Sequence, residues 1–176
     1  ECEKISFNEN LLFTHRGLSG PVILQISSYW DAGQFITCNL LPDFELEKMI
    51  LKAQKTESQQ QVKTWLSNHL PKRLISILLK EQLANKPVAK INHNDIKEII
   101  FLLQNRKIKP NGTEGYRTAE VTLGGVDCDE ISSKTMESRK VSNLYFVGEV
   151  LDVTGWLGGY NFQWAWSSGW CAGQYV

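Results

Sequence analysis

The feature that most constrains this chain is a block of helical period set between two segments that do not share it. From Asp43 to Asn105 the sequence is polar, rich in Lys, Gln and Glu, and its apolar residues recur at steps of three and four. Leu46, Met49, Ile50 and Ala53 would line one face of a helix capped by Asp43, with Glu45, Glu47, Lys48 and Lys52 facing out. Ser58 to Leu70, Pro71 to Leu83 and His93 to Gln104 repeat the pattern, with Pro71 at a helix start and Asn92 or Asn94 as the candidate cap of the last. Short amphipathic helices joined by short connections predict a small bundle, a place for packing and not for chemistry.

The flanks read differently. Glu1 to about Pro42 mixes strand-like Cys2 to Phe7, Leu11 to Thr14 and Phe35 to Leu40 with a helix from about Ser19 to Tyr29, in which Pro21 sits in the first turn. From Arg106 to Val176 glycine becomes frequent, most of the tryptophans appear and β-branched alternation returns. Tyr116 to Leu123 alternates as a strand, and Leu144 to Val147 is a short apolar run suited to a buried parallel strand. Gly158-Gly159 then opens a helix from Tyr160 to about Gln174. The pattern predicts an α+β or α/β chain.

At 176 residues, with 42% apolar and 22% charged content, the chain can bury the core of one ordinary domain or two small ones. Lys plus Arg equals Asp plus Glu, 19 against 19, so no overall field draws it to nucleic acid or to an anionic membrane, and neither partner is expected. Cys2, Cys38, Cys128 and Cys171 lack the close pairing of a zinc site or a redox dithiol and read as isolated buried thiols, so no metal is expected. With no charged-then-apolar leader and no run of eighteen or more apolar residues, a cytoplasmic location is expected.

Chemistry is expected in the third zone. Asn143 to Val147 leads into Gly148, where a missing side chain lets another group approach the backbone, and Glu149 then sets a carboxylate at the carboxyl edge of the strand. In open α/β sheets that edge binds ligands, and a carboxylate there suits the hydroxyls of a sugar or ribityl chain; a plain strand-to-loop turn is the alternative. Asp152, Gly155, Gly158 and Gly159 form a glycine-rich loop. Tyr160 begins a helix whose free amides and dipole favour negative charge, such as that on a reduced flavin ring.

The run Leu144 to Gly155, continued by Gly158-Gly159-Tyr160-Asn161-Phe162-Gln163-Trp164-Ala165, resembles the C-terminal FAD motif of a family of bacterial two-domain NAD(P)/FAD-dependent oxidoreductases. Aminoacetone oxidase and bile-acid-pathway reductases are among that family's relatives. Phe13-Thr14-His15-Arg16-Gly17-Leu18-Ser19-Gly20-Pro21 and Glu120-Val121-Thr122-Leu123-Gly124-Gly125-Val126 resemble it too. The resemblance implies a strand-and-helix-bundle insert domain over residues 1–116, with the bundle at about 43–105. Residues 117–176 would then be the return segment of an FAD-binding Rossmann-like domain. It implies flavin contacts from Gly124, Gly125, Val126, Gly148, Glu149, Asp152, Gly158, Gly159, Tyr160, Asn161 and Gln163.

The family's glycine-rich dinucleotide turn has no match here, and the chain opens on Glu1. The expectation is therefore the C-terminal part of a longer protein whose N-terminal half holds the nucleotide end of FAD. As an isolated chain it would bind no FAD, and Gly148 to Val176 would be rearranged, disordered or packed against another chain.

Read without the family, Gly124-Gly125-Val126 marks a tight turn or bulge; with it, the crossing segment whose backbone lies against the flavin. His15 and Arg16 are the candidate catalytic residues, one titrating near neutrality and one able to hold an anion; a hydrogen-bonded structural histidine and a solvated charge are the alternatives. Trp166 and Trp170, four apart on the final helix, are expected in the core, and Trp156 at the substrate pocket.

The implied function is transfer of hydride or electrons between NAD(P)H or an organic substrate and a second acceptor. The alternative is a non-catalytic flavin-binding or RNA- or protein-docking module that uses the helical insert, where Lys72, Arg73, Lys80, Lys86, Lys90, Arg106, Lys107 and Lys109 give a locally basic character.

Overall fold

The computed structural model describes residues 1–56 and 59–176. The fold is α+β and divides into two compact units, each discontinuous in sequence: Glu1–Lys4 with Gly33–Pro110, and Ile5–Ala32 with Asn111–Val176.

The first unit is the helical one. Its helices are α2 (Leu46–Thr56), α3 (Val62–Leu66), α4 (Lys72–Leu78), α5 (Glu81–Ala84) and α6 (His93–Gln104), and a two-stranded antiparallel ribbon joins β3 (Ile36–Cys38) to β4 (Arg106–Ile108). The apolar periodicity makes the core: Leu46, Ile50 and Ala53 of α2 meet Trp65 and Leu66 of α3 and Ile99 and Leu103 of α6, all buried. The Leu and Ile side chains among them each contribute about 1.5–3 kcal/mol when fully buried. Asn92 caps α6 with a reciprocal box: its side chain accepts from the amides of Asn94 and Asp95, and the Asp95 carboxylate accepts from the Asn92 amide at 2.7 Å. Gln104 closes the other end, its side-chain amide donating to the Leu41 and Phe44 carbonyls at 2.9 and 2.7 Å.

Boundaries differ from expectation where packing overrides period. The first helix starts at Leu46, so Asp43 lies in the preceding turn and does not cap it. The expected start at Ser58 lies outside the described residues. Pro71 to Leu83 is not one helix: Leu79 is extended and buried, which lets the adjacent Leu78 and Leu79 both enter the core before α5 begins.

The second unit holds β1 (Leu12–Phe13), β2 (Leu18–Ser19), α1 (Pro21–Ser27) and α7 (Tyr160–Ala172). Strands β1 and β2 pair antiparallel, and the Thr14 hydroxyl accepts from the amides of Arg16 and Gly17 to set the turn between them. Gly20 adopts φ 91°, and a Cβ there would stand 2.8 Å from the Asn10 carbonyl oxygen, so the entry to α1 admits only glycine. A small core of Ile131, Met136, Leu151 and Ala172, with Val126, Phe146 and Trp164 against it, centres this unit.

This unit departs from the sequence pattern at three places. Tyr116 to Leu123 forms no strand: it opens on a single 3-10 turn, Gly115–Arg117, with residues 111–120 exposed and unpaired in any ladder. Leu144 to Val147 is no buried parallel strand either, since Tyr145 makes one antiparallel bridge to Glu137 while Leu144 and Val147 stay exposed. Strand propensity needs neighbouring strands to be realised, and among the described residues these segments have none beyond that bridge. Finally, Trp166 and Trp170 are 77% and 71% exposed, and Trp164 is the one that packs inward.

Candidate functional site

A parallel bridge between Val126 and Leu151 assembles the site. The Val126 amide donates to the Val150 carbonyl at 2.8 Å and the Asp152 amide to the Val126 carbonyl at 2.9 Å. Two segments more than twenty residues apart, Gly124–Val126 and Gly148–Asp152, are thereby laid side by side. Gly125 makes the approach possible: a Cβ there would stand 2.6 Å from the Val150 oxygen, inside any real contact distance. Gly124, at φ 88°, faces open space.

Residues 148–150 form a 3-10 turn in place of a strand end. Gly148 has φ 70°, and a Cβ would lie an ordinary 3.7 Å from that of Ala165, so its backbone conformation demands glycine and not lack of room. The turn is locked to α7 from both sides: the Gly148 amide donates to the Ser168 hydroxyl at 2.9 Å, and the Trp164 indole donates to the Gly148 carbonyl at 3.0 Å. Glu149 and Asp152 are left exposed.

The loop into α7 is closed by Asn161. Its side-chain oxygen accepts from the Gly155 amide at 2.7 Å and its side-chain amide donates to the Gly155 carbonyl at 3.0 Å. A Cβ on Gly155 would lie 2.8 Å from that of Tyr160, so the loop can fold onto the helix start only with glycine there. Gly158 and Gly159 follow with φ of 116° and 90°; Gly159 is the left-handed N-cap of α7 and offers no side-chain cap to the first amides. Those amides remain free to bind a negatively polarised group. Gln163 is exposed and donates to Ser167 at 2.9 Å, while Tyr160 is exposed at the mouth of the loop.

Thr154, Gly155, Trp156 and Tyr160 line an open cleft of about 340 Å³. The hydroxyl oxygen of Thr154 is buried without a hydrogen-bond partner, a costly state that a polar ligand atom would relieve. Trp156 is half exposed and held by neighbours: its indole donates to the Tyr29 hydroxyl at 2.8 Å and meets the Phe7 ring edge-on, centroids 5.3 Å apart.

Arg16 is committed to Glu114, 2.5 Å away, and His15 is exposed on the same turn. Sequence reasoning missed the Ser168 lock, the Trp164 indole, and the Phe7 and Tyr29 support of Trp156. The small residues Ala165 and Ser168 opposite Gly148 carried the only signal for the first, and nothing in sequence spacing marks the last.

Orphan hydroxyl, uncapped helix and glycine loop together form a polar edge that a ring with hydrogen-bonding groups could meet, on a segment of Rossmann type. Residues 1–121 match the HI0933-like protein barrel and H2TH domain, and residues 82–175 the HI0933-like protein Rossmann domain; the chain belongs to the HI0933-like family.

Among curated proteins, it is 57% identical over 96% of its length to the ribosomal RNA dihydrouridine synthase of Escherichia coli (strain K12). It is 52% identical over 95% to the protein of the same name from Haemophilus influenzae. A 3-dehydro-bile acid delta(4,6)-reductase of Clostridium scindens is 32% identical over 92% of the chain. In each case the chain spans 42% of the relative's length. No described helix is long and apolar enough to cross a membrane.

Proposed function

We propose that this chain is part of a cytoplasmic FAD-dependent reductase that saturates the C5–C6 double bond of a uracil base in ribosomal RNA. The observation that carries the flavin part is the unpartnered Thr154 hydroxyl beside the uncapped start of α7. The substrate part draws on the two ribosomal RNA dihydrouridine synthases above. The bile-acid reductase is consistent with it, because both named activities are reductions of a carbon–carbon double bond.

A bound flavin, re-reduced by NAD(P)H, would supply the hydride to one carbon of the double bond, and a proton drawn from solvent would complete the other. This chain's residues would hold and tune it: Glu149 would accept hydrogen bonds from ribityl hydroxyls, and the first amides of α7 would offset negative charge at the ring edge. Gly124, whose missing side chain faces open space, would leave the ring face uncrowded, and Asp152, Gln163 and Tyr160 would border it. Trp156, fixed by Tyr29 and Phe7, offers a flat apolar surface for the substrate base. NAD(P)H is the proposed electron donor.

The experiment uses the full-length protein, purified and scanned for flavin absorbance, then incubated with unmodified ribosomal RNA and NADH or NADPH. Mass spectrometry of the digested RNA should show a uridine that has gained two hydrogens. A flavin-loaded protein that oxidises NAD(P)H and leaves the RNA unchanged would instead favour a small organic substrate.

A further inference from the structure

The helical unit contains an open groove of about 840 Å³ framed by α3, α4 and α5, and its walls carry the cations Lys63, Lys72 and Arg73 against the single carboxylate of Glu81. Three other cations of this unit are paired, Lys48 with Glu45, Lys80 with Glu98 and Lys86 with Asp95, while Lys52, Lys90 and Lys97 are exposed on separate stretches with no ion pair among the described residues. Among the described residues, the groove trio has no acidic partner within ion-pair distance. Lys63 is held across the gap by a neutral group, donating to the Asn85 side-chain oxygen at 2.6 Å, so no acidic group offsets it.

Helix stability does not account for this placement. Lys72 and Arg73 occupy the first turn of α4, where positive charge runs against the helix dipole, and no acidic residue shares that turn. Like charges gathered around one groove repel one another, and a polyanion laid along it removes the repulsion. The groove is open, its cations are exposed, and no aromatic side chain lines it, so it can grip a charged backbone but not read bases.

We infer that this groove is a binding site for the phosphodiester backbone of RNA, with Lys63, Lys72 and Arg73 contacting successive phosphates. The inference deepens the proposed reaction and rests on RNA being its substrate. Its role is positioning: it holds the strand without sequence preference and takes no part in the reduction.

The experiment uses the full-length flavin-loaded protein and a short uridine-containing hairpin transcribed without modification. The double variant Lys72→Gln/Arg73→Gln removes two exposed charges. Lys63→Gln removes the third while leaving an amide to bond Asn85, and Lys48→Gln is a cation control outside the groove. Dissociation constants are measured across a salt series. The double variant should bind roughly tenfold more weakly at low salt, and its log–log salt slope should shrink by about 1.5, the share of two phosphate contacts.

Lys63→Gln should give about half that change, Lys48→Gln none, and thermal stability and flavin content should hold throughout. Equal affinity and slope in wild type and the double variant would overturn the groove assignment, whatever the enzyme does. Dihydrouridine formation is scored separately. A wild type that forms none, yet binds RNA through these residues, keeps the groove and sinks the reaction.

Discussion

Glu149 offers the cleanest residue-scale experiment, because its exposed carboxylate makes no bond that the fold needs. In the full-length protein Glu149→Ala should leave thermal stability unchanged and weaken FAD binding by about 1.5–3 kcal/mol, the scale of a hydrogen bond to a charged group. Undiminished flavin content after exhaustive dialysis would remove Glu149 from the site. Gly125 is the opposite case. A methyl there meets the Val150 oxygen at 2.6 Å, so Gly125→Ala must part the Val126–Leu151 bridge. A loss of about 1–3 kcal/mol in the second unit, read by urea melting, is expected from such overpacking. A melt identical to wild type would mean the two segments separate without cost.

At the scale of the element, α7 and α6 give contrasting cases. Trp166 and Trp170 stand exposed, so Trp166→Ser and Trp170→Ser should each change the stability of the 176-residue chain by less than about 0.5 kcal/mol. Trp164→Phe deletes the donor to the Gly148 carbonyl and should cost about 1 kcal/mol. The reverse order would mean that α7 is rotated.

Helix α6 depends on its cap: Asn92→Ala should destabilise the helical unit by about 1 kcal/mol. Partial desolvation pushes the Asp95 carboxyl up, but the Lys86 hydrogen bond, the Asn92 amide and the Lys86 charge together hold it below the usual carboxylate range. A depressed carboxylate stabilises the fold above its unfolded value and loses that contribution as pH falls through the folded one. The helical unit should therefore be insensitive to this group at neutral pH and weaken below about pH 4. Asp95→Asn should flatten that acid limb in a melting series.

For the whole molecule the decisive quantity is how much of a dinucleotide site one chain carries. The proposed site would meet only the ring and ribityl end of FAD, and the sequence holds no match to the glycine-rich turn that grips a pyrophosphate. Titrating the isolated chain with FAD in a calorimeter should give no binding in the micromolar range. Heat release at that concentration would show that the glycine loop and α7 suffice.

Local rules were legible where one side chain answers to its own neighbours in sequence. The Asn92 cap, the His93–Gln104 helix, Pro21 at the start of α1 and Gly159 before α7 follow from capping chemistry and apolar period, which act over a few residues. The glycines of the candidate loop could be singled out the same way, because each interrupts a pattern. Tertiary contact decided what the sequence could not. Gly125 needs no side chain because Val150 arrives beside it, and Trp156 is fixed by Phe7 and Tyr29 from the far end of the chain. Trp164 rather than Trp166 turns inward because the Gly148 carbonyl waits there. Leu144 to Val147 has the composition of a buried strand and is none, since a strand is made by the neighbours that bond it. Short-range order is written in adjacent residues; which face of an element is buried depends on surfaces that meet only when the chain has folded.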